Sequence, residues 1–192
     1  MELTDRQREL ATAALAIVAA EGMAAVTFRS VAAASGWSLG AVQKAFSSKE
    51  EMYAAMFSAL RSSPGVGPTS PPGEPTVQAW LVELVLAMLS LDEHRRALTM
   101  QGSAFADRAA LDPALGTAIA TSDEELRGLL AALVAKGQAD GEIPTATDPA
   151  VAAWGVLALA QGLAAQLLYD RRTTRWVTPR VKAAVAALLG TS

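Results

Sequence analysis

The stretch from Thr27 to Phe46 constrains the fold more tightly than any other part of the sequence. It begins with a residue that can cap a helix and then repeats apolar residues at helical spacing. Gly36 follows, and glycine readily adopts the left-handed backbone that a sharp turn needs. Ser38 is a second cap, and the apolar residues that share one face of the helix after it are Leu39, Val42 and Phe46. This pattern predicts either a helix-turn-helix, whose second helix enters the DNA major groove, or an ordinary helical hairpin.

Signals for further helices recur along the whole chain. Alanine dominates the composition, while β-branched and aromatic residues are sparse, and this balance favours helices. Capping boxes are predicted at Thr4 with Gln7 and at Ser47 with Glu50. Later helix starts are predicted at Asp92, Asp112, Asp148 and Thr178, the last three followed by proline. We therefore expect an all-α fold of about nine helices.

A proline- and glycine-rich stretch at 62–75, SSPGVGPTSPPGEP, interrupts the helical pattern and is expected to be a mobile loop. It separates a small N-terminal part from a larger C-terminal part. The predicted organisation is a helix-turn-helix domain at 1–46, a connecting helix at 47–62, a loop at 63–75 and a ligand-binding and dimerisation domain at 76–192.

The composition argues against several classes of protein. The chain has 192 residues, 52% of them hydrophobic, which is enough for a sizeable core. It has no cysteine and a single histidine, His94, so disulfides, thiolate metal sites and two-histidine zinc sites are excluded. Its carboxylates lie in runs that look exposed. We therefore expect no catalysis, no metal and no cofactor, and the absence of a signal-peptide pattern predicts a cytoplasmic protein.

The distribution of charge is compatible with a nucleic-acid partner, even though the net charge is −3. Residues 1–62 contain six basic and six acidic side chains and are neutral overall, so the remainder carries the whole negative charge. DNA binding requires basic groups on one face and does not require a basic protein.

The run from Ala150 to Tyr169 has no charged residue and is long enough to span a membrane. Gln161 and Gln166 would be costly in hydrocarbon, and no second segment of this kind exists. A helix that is apolar all round is equally expected between other helices or subunits, so we predict a buried helix and no membrane contact.

The first sixty or so residues resemble the DNA-binding domain of the TetR family of bacterial transcriptional regulators. Three stretches carry the resemblance, AALAIVAAEG, VTFRSVAAASGWSLGAVQKAF and SSKEEMYAAM, which correspond to the first helix, the helix-turn-helix and the opening of the fourth helix. The C-terminal two thirds resembles the variable ligand-binding half of the family more loosely. Within it, QGLAAQLLYD (161–170) is similar to the penultimate, dimer-forming helix of many members.

The recognition helix departs from the family pattern. Many members carry a lysine, two aromatic residues and often a histidine there, at positions that in this chain are Leu39, Gln43, Lys44 and Ala45. The operator therefore cannot be transferred from a better-known relative.

The candidate DNA-binding residues follow from the resemblance together with side-chain chemistry. The resemblance implies a phosphate contact for Thr27, and a hydroxyl at a helix N-terminus suits that role. Arg29 and Gln43 are candidates for base contacts, while Trp37 either packs on the first helix or lies on the DNA backbone. The full predicted set is Thr27, Arg29, Trp37, Ser38, Leu39, Gly40, Ala41, Gln43, Lys44 and Lys49.

Two further sets are predicted in the C-terminal part. Apolar residues interspersed with polar groups can line a small-molecule pocket, although methionine and tryptophan at helical spacing are also typical of a core. The pocket candidates are Trp80, Met88, Met100, Phe105, Trp154 and Gln161. Small and apolar residues on the last two helices suggest a four-helix dimer interface. The interface candidates are Gly155, Leu159, Gly162, Gln166, Val181, Val185 and Leu188.

These expectations combine into a homodimeric repressor that binds double-stranded operator DNA and is released by a small-molecule effector. The alternatives are a constitutive DNA-binding or architectural protein without an effector, and a helical adaptor whose helix-turn-helix domain is degenerate.

Overall fold

The computed structural model describes residues 3–63 and 67–191. In these two ranges the chain forms nine α-helices and one 3₁₀ turn, with no β-strand. The α-helices, α1 to α9 in chain order, are Asp5–Glu21, Phe28–Ser35, Leu39–Ala45, Lys49–Arg61, Val77–Met88, Glu93–Ala109, Pro113–Ala139, Pro149–Gln166 and Thr174–Leu189. The 3₁₀ turn, Met23–Ala25, bridges α1 and α2. The predicted all-α fold of about nine helices is confirmed.

The chain divides into two compact units. The first, called here the head unit, comprises Met1–Gly65 and Met100–Ile119, and the second, the C-terminal unit, comprises Val66–Thr99 and Ala120–Ser192. The end of α6 and the start of α7 therefore belong to the head unit, whereas the sequence suggests one continuous C-terminal domain from residue 76.

The head unit has its own hydrophobic core, built where α1 packs against α2, α3 and α4. Residues from the end of α6 and from α7 complete it, because Phe105 and Leu115 are buried in the same cluster. Gln101 is a buried polar side chain in this unit, and its amide donates a 2.9 Å hydrogen bond to the Leu15 carbonyl of α1. Burial of an amide is tolerated when the group is hydrogen-bonded in this way.

The start of α4 differs from its prediction by one residue. Ser48 is the N-cap, since its hydroxyl accepts a 3.1 Å hydrogen bond from the Glu51 amide. Ser47 instead donates from its amide and its hydroxyl to the Glu51 carboxylate, at 2.7 and 2.6 Å. The predicted capping box of Ser47 with Glu50 is therefore wrong, whereas the box of Thr4 with Gln7 is confirmed.

The C-terminal unit is built around α5, which packs against both α8 and α9. Part of the proline- and glycine-rich loop is anchored to α5, while residues 64–66 of that loop lie outside the described residues. The Glu83 carboxylate accepts hydrogen bonds from Thr69 and Ser70, and the Trp80 indole N–H donates to the Ser70 carbonyl at 3.1 Å.

The last helix begins earlier than its sequence signal suggests. Thr173 caps α9, its hydroxyl accepting from the Trp176 amide at 3.3 Å, and Pro179 lies inside the helix. The prediction that Thr178 and Pro179 open this helix is therefore wrong. The helix continues through the proline at the loss of one backbone hydrogen bond. Gly190 ends it in the left-handed conformation.

Helix α8 is the one helix of the described residues that is long and apolar enough to cross a bilayer. A third of that stretch is buried inside the protein. A single helix of this kind is weak grounds for a membrane span, because core helices have the same length and composition.

Candidate nucleic-acid interface

The first helix of the helix-turn-helix is fixed at both ends. The Thr27 hydroxyl accepts a 3.0 Å hydrogen bond from the Ser30 amide, and the Ser30 hydroxyl accepts a 2.8 Å hydrogen bond from the Thr27 amide. Ser30 also donates to the Ala25 carbonyl at 2.8 Å, which joins α2 to the preceding turn. Gly36 ends the helix with φ of 75°, a left-handed conformation that glycine adopts at little cost.

The second helix, α3, is buried in the core on one side and exposed to solvent on the other. Ser38 caps it through a 3.2 Å hydrogen bond from the Ala41 amide, while Val42 and Phe46 are fully buried. Leu39 is half-buried in the same cluster. The residues that α3 and its cap expose to solvent are Ser38, Gly40, Gln43 and Lys44, with Ala41 half-exposed.

A side chain of α1 holds the C-terminal end of α3. The Gln7 carboxamide donates to the Ala45 carbonyl at 3.1 Å, and its oxygen accepts from the Thr4 amide at 3.1 Å. Gln7 therefore has two roles, and the capping-box pattern predicts only one of them. The second depends on a contact between residues far apart in sequence, which no local pattern reveals.

Trp37 lies on α1, one of the two positions that the sequence leaves open for it. The Arg6 guanidinium stacks over the indole ring, 4.5 Å from its centroid, and Trp37 is half-buried. A cation over an indole face is an attractive contact. Arg6 therefore helps to fix the turn between α2 and α3.

Three basic side chains in this region are exposed and have no ion pair among the described residues: Arg29 in α2, Lys44 in α3 and Lys49 at the start of α4. An exposed cation beside a helix N-terminus, as at Lys49, is suited to an anionic partner. The predicted polar and basic positions are thus all available to solvent in the head unit.

The six predicted pocket residues are distributed over both units. Trp80 and Met88 are in the C-terminal unit, where Trp80 is part of the core. Met100 and Phe105 are in the head unit, where Phe105 is buried against Phe57 with ring centroids 5.6 Å apart. The remaining two, Trp154 and Gln161, are exposed on α8. The single pocket that the sequence suggests stays a prediction, and helical spacing does not reveal which unit each of its residues joins.

The predicted interface residues also divide into two groups. Val181 and Val185 are fully buried in the core of the C-terminal unit, so they cannot face a second subunit. Leu188 packs over Gly155, where an added Cβ would lie 2.7 Å from Leu188 Cδ2. Leu159 is half-buried, and only Gly162 and Gln166 are exposed.

The exposed side of α8 carries apolar residues that the prediction omits or assigns elsewhere. Val151 and Trp154 are 64% and 63% exposed, and Tyr169 just beyond the helix is 81% exposed. Val151, Trp154, Ala158 and Gly162 recur at helical spacing, so they form one exposed stripe, called here the α8 stripe.

Comparisons with known proteins agree with this architecture. The family model described as "Bacterial regulatory proteins, tetR family" matches residues 10–56, and the one described as "BetI-type transcriptional repressor, C-terminal" matches residues 77–190. No curated protein shows significant sequence similarity to the chain.

Solved structures similar to the chain cover nearly all of it. A transcriptional regulator from Rhodococcus sp. Rha1 is 26% identical, covers 97% of each chain and has a TM-score of 0.80. Salmonella enterica GusR is 21% identical over 99% of this chain and 100% of its own, with a TM-score of 0.76. A TetR transcription regulator from Haloarcula marismortui is 18% identical over 97% of each chain, with a TM-score of 0.74.

The two family models together cover the helix-turn-helix and nearly the whole C-terminal part, and TetR-family regulators are non-enzymatic DNA-binding transcription factors. The chain therefore belongs to the TetR family and is a DNA-binding transcriptional regulator.

Proposed function

We propose that the chain is a homodimeric cytoplasmic repressor that binds operator DNA through two α3 helices and leaves it when a small molecule binds. The observation that carries this proposal is the two-sided character of α3. One side is anchored by buried Val42 and Phe46, and the other presents small and polar side chains to solvent. A helix supported in this way can enter a major groove without losing its own packing.

Roles on the DNA follow from side-chain size and chemistry. Gly40 and Ala41 allow the backbone of α3 to approach the base pairs closely, and Ala41 can contact a thymine methyl group. Gln43 has the carboxamide geometry that pairs with adenine, and Arg29 is suited to guanine. The proposed phosphate contacts are Thr27, Ser38, Lys44 and Lys49. Leu39 and Trp37 serve mainly to hold α3 in place.

The α8 stripe supports the dimer part of the proposal. Val151 and Trp154 expose a large apolar area that water solvates poorly, and a second copy of the same stripe would cover it. We therefore propose that this stripe, together with Gln166, forms the dimer interface, and that buried Val181 and Val185 do not belong to it.

The connection between α3 and α4 supports the effector part. Only Phe46, Ser47 and Ser48 separate the two helices, and Phe46 is buried in the core that α4 shares. A ligand that shifts α4 would therefore move α3 and change its fit to the DNA. The effector acts by binding more tightly to the shifted state than to the DNA-bound state.

Binding to the DNA upstream of the protein's own gene tests the proposal, measured by fluorescence anisotropy at several salt concentrations. A double variant, Lys44→Ala with Lys49→Ala, should lower the affinity. It should also reduce the slope of log affinity against log salt by about four, because each phosphate contact contributes about one and the dimer loses two contacts from each of its two subunits. Lys182→Ala, an exposed lysine of α9, is the matched control and should change neither quantity.

Unchanged affinity and slope in the double variant would contradict this assignment of α3 and α4 to the DNA. Gln43→Ala adds a second measurement, since loss of a base contact should weaken binding to the operator more than binding to unrelated DNA.

A further inference from the structure

The first turn of α1 contacts both ends of α3. Arg6 stacks on Trp37, one residue before the cap of α3, with its guanidinium 4.5 Å from the centroid of the indole ring. Gln7, the next residue, donates from its carboxamide to the carbonyl of Ala45, the last residue of α3, at 3.1 Å. Neighbouring side chains of a helix point about 100° apart, so these two reach opposite ends of a helix that is only about 10 Å long. Arg6 and Gln7 are called here the α1 latch.

The buried side of α3 does not by itself fix the direction in which the helix points. Val42 and Phe46 hold it through apolar contact, which is favourable in any orientation that keeps the same area from water. A helix of seven residues is also too short to be stable alone. Hydrogen bonds and ring stacking depend on distance and angle, so the two polar contacts at the ends of α3 add the orientation that apolar packing leaves free.

The Gln7 carboxamide is bonded at both of its ends. Its oxygen accepts from the Thr4 amide at 3.1 Å, which is part of the capping box of α1, and its nitrogen donates to Ala45. The Ala45 carbonyl lies in the last turn of α3, where carbonyl groups have no partner within the helix. The latch therefore joins the cap of one helix to the C-terminal end of another. A carboxamide suits this position because it carries an acceptor and a donor together.

The alignment of α3 matters more for reading bases than for binding phosphates. A side chain that pairs with a base edge needs both of its hydrogen bonds in register, whereas phosphates carry no sequence information. We infer that Arg6 and Gln7 are positioning residues that set the sequence discrimination of α3 without touching DNA themselves. The inference rests on the proposed function, in which Gln43 of α3 contacts a base edge. Loss of the latch would then weaken binding to the operator more than binding to unrelated DNA.

Two variants separate the latch from the cap of α1. Gln7→Glu keeps an oxygen for the Thr4 amide, because glutamate at this position forms the same capping box. It cannot donate to the Ala45 carbonyl, since an ionised carboxylate only accepts. Thr4→Ala removes the hydroxyl that accepts from the Gln7 amide at 3.2 Å and leaves the bond to Ala45 in place. The DNA upstream of the protein's own gene and an unrelated duplex are each titrated with the full-length variants by fluorescence anisotropy.

The ratio of operator affinity to affinity for unrelated DNA is the deciding measurement. Gln7→Glu should lower this ratio about tenfold or more, because the base contacts of both subunits lose their alignment. Thr4→Ala should lower the melting temperature and leave the ratio unchanged. Thr12→Glu, at an exposed position of α1, introduces the same negative charge and should affect both DNAs equally. A Gln7→Glu protein with the parent's ratio, or a Thr4→Ala protein with an equally low ratio, would overturn the inference.

Arg6 is exposed and positively charged, so the salt dependence of binding separates its positioning role from that of a phosphate contact. Arg6→Met keeps a long side chain beside the indole but loses the guanidinium, and it should lower the same ratio about threefold. The slope of log affinity against log salt should stay that of the parent. A slope reduced by about two, one contact in each subunit, with equal losses on both DNAs, would make Arg6 a phosphate contact and contradict the inference.

Hydrogen exchange of the free protein gives a readout that does not depend on DNA. Amides of α3 should exchange faster in Gln7→Glu than in the parent, while amides of α1 keep their protection. If the parent binds no DNA, the proposed function fails, and the exchange rates still decide whether the latch holds α3. If the parent discriminates between the two DNAs and α3 exchanges alike in both proteins, the inference fails and the proposed function stands.

Discussion

Helices α3 and α8 both present a solvent-exposed side, but the two sides have opposite chemistry. Helix α3 has seven residues and exposes Gly40, Gln43 and Lys44. Helix α8 has eighteen residues, none charged, and exposes Val151 and Trp154. Polar groups can exchange water for phosphates and base edges, whereas exposed apolar area is stabilised only by another apolar surface. The difference supports the proposal that α3 is exposed to bind DNA and that α8 is exposed to bind a second subunit.

The largest effect is expected from removing the support of α3. Phe46 is fully buried, so Phe46→Ala should cost about 3 to 5 kcal/mol of unfolding free energy through lost burial and a residual cavity. Urea denaturation measures this change. Trp154→Ala, which also removes a large ring, should change the unfolding free energy of the monomer far less, because the ring is exposed. Similar losses in the two variants would contradict the contrast between the helices.

The α8 stripe should respond to a charge placed in its centre. Gly162 is exposed and has open space beyond its Cα, so Gly162→Arg should fold normally. It should convert the dimer to a monomer and weaken operator binding about a hundredfold, because a dimer gains avidity from two linked contacts. Sedimentation and anisotropy measure the two effects. Gly128→Arg, equally exposed and unhindered on α7, is the control. A Gly162→Arg protein that stays dimeric would rule out this interface.

The helix caps allow a subtler comparison. Thr27→Ala and Asp148→Ala each remove a cap, of α2 and α8 respectively, and each should cost about 1 kcal/mol of stability. Only Thr27→Ala should also weaken DNA binding, since its hydroxyl is a proposed phosphate contact. Thr27→Ser should retain both properties. Equal effects of the two alanine variants on DNA binding would leave Thr27 with a structural role alone.

The smallest effect concerns pH and the loop anchored to α5. Hydrogen bonds from the Ser70 hydroxyl and from the Thr69 amide and hydroxyl lower the pKa of Glu83 from its ordinary 4.5 to about 2. The ionised carboxylate therefore contributes stability that is present above about pH 4.5 and is lost as the pH falls toward 2. Glu83→Gln should lower the melting temperature slightly at pH 7, and the difference from the parent protein should shrink below pH 4.5. A melting-temperature difference that stays constant across this pH range would contradict the role of the Glu83 carboxylate in anchoring the loop.

Local chemistry made much of the head unit predictable from sequence. Thr4, Thr27 and Ser38 each cap the helix that their position predicts, and Gly36 adopts the predicted turn conformation. These features depend on residues within one helical turn of each other. The start of α4 could not be decided in the same way, because the sequence SSKEE contains two serines that each precede a glutamate by three residues.

Features that depend on tertiary packing could not be predicted in this way. Thr178 with Pro179 has the same sequence signal as a true helix start, but Thr173 had already capped α9 one turn and a half earlier. Phe105 has the periodicity of a C-terminal core residue and is buried in the head unit instead.

The hydrogen bond from Gln101 to the Leu15 carbonyl has a consequence for the autonomy of the DNA-reading part. A fragment cut after residue 62, where the sequence suggests a boundary, would lose this bond together with buried Phe105 and Leu115. The fragment would expose apolar surface to water, and the Leu15 carbonyl would lose its hydrogen-bond donor. In this protein the core of the head unit is completed by residues that lie some forty positions beyond the boundary that the sequence suggests.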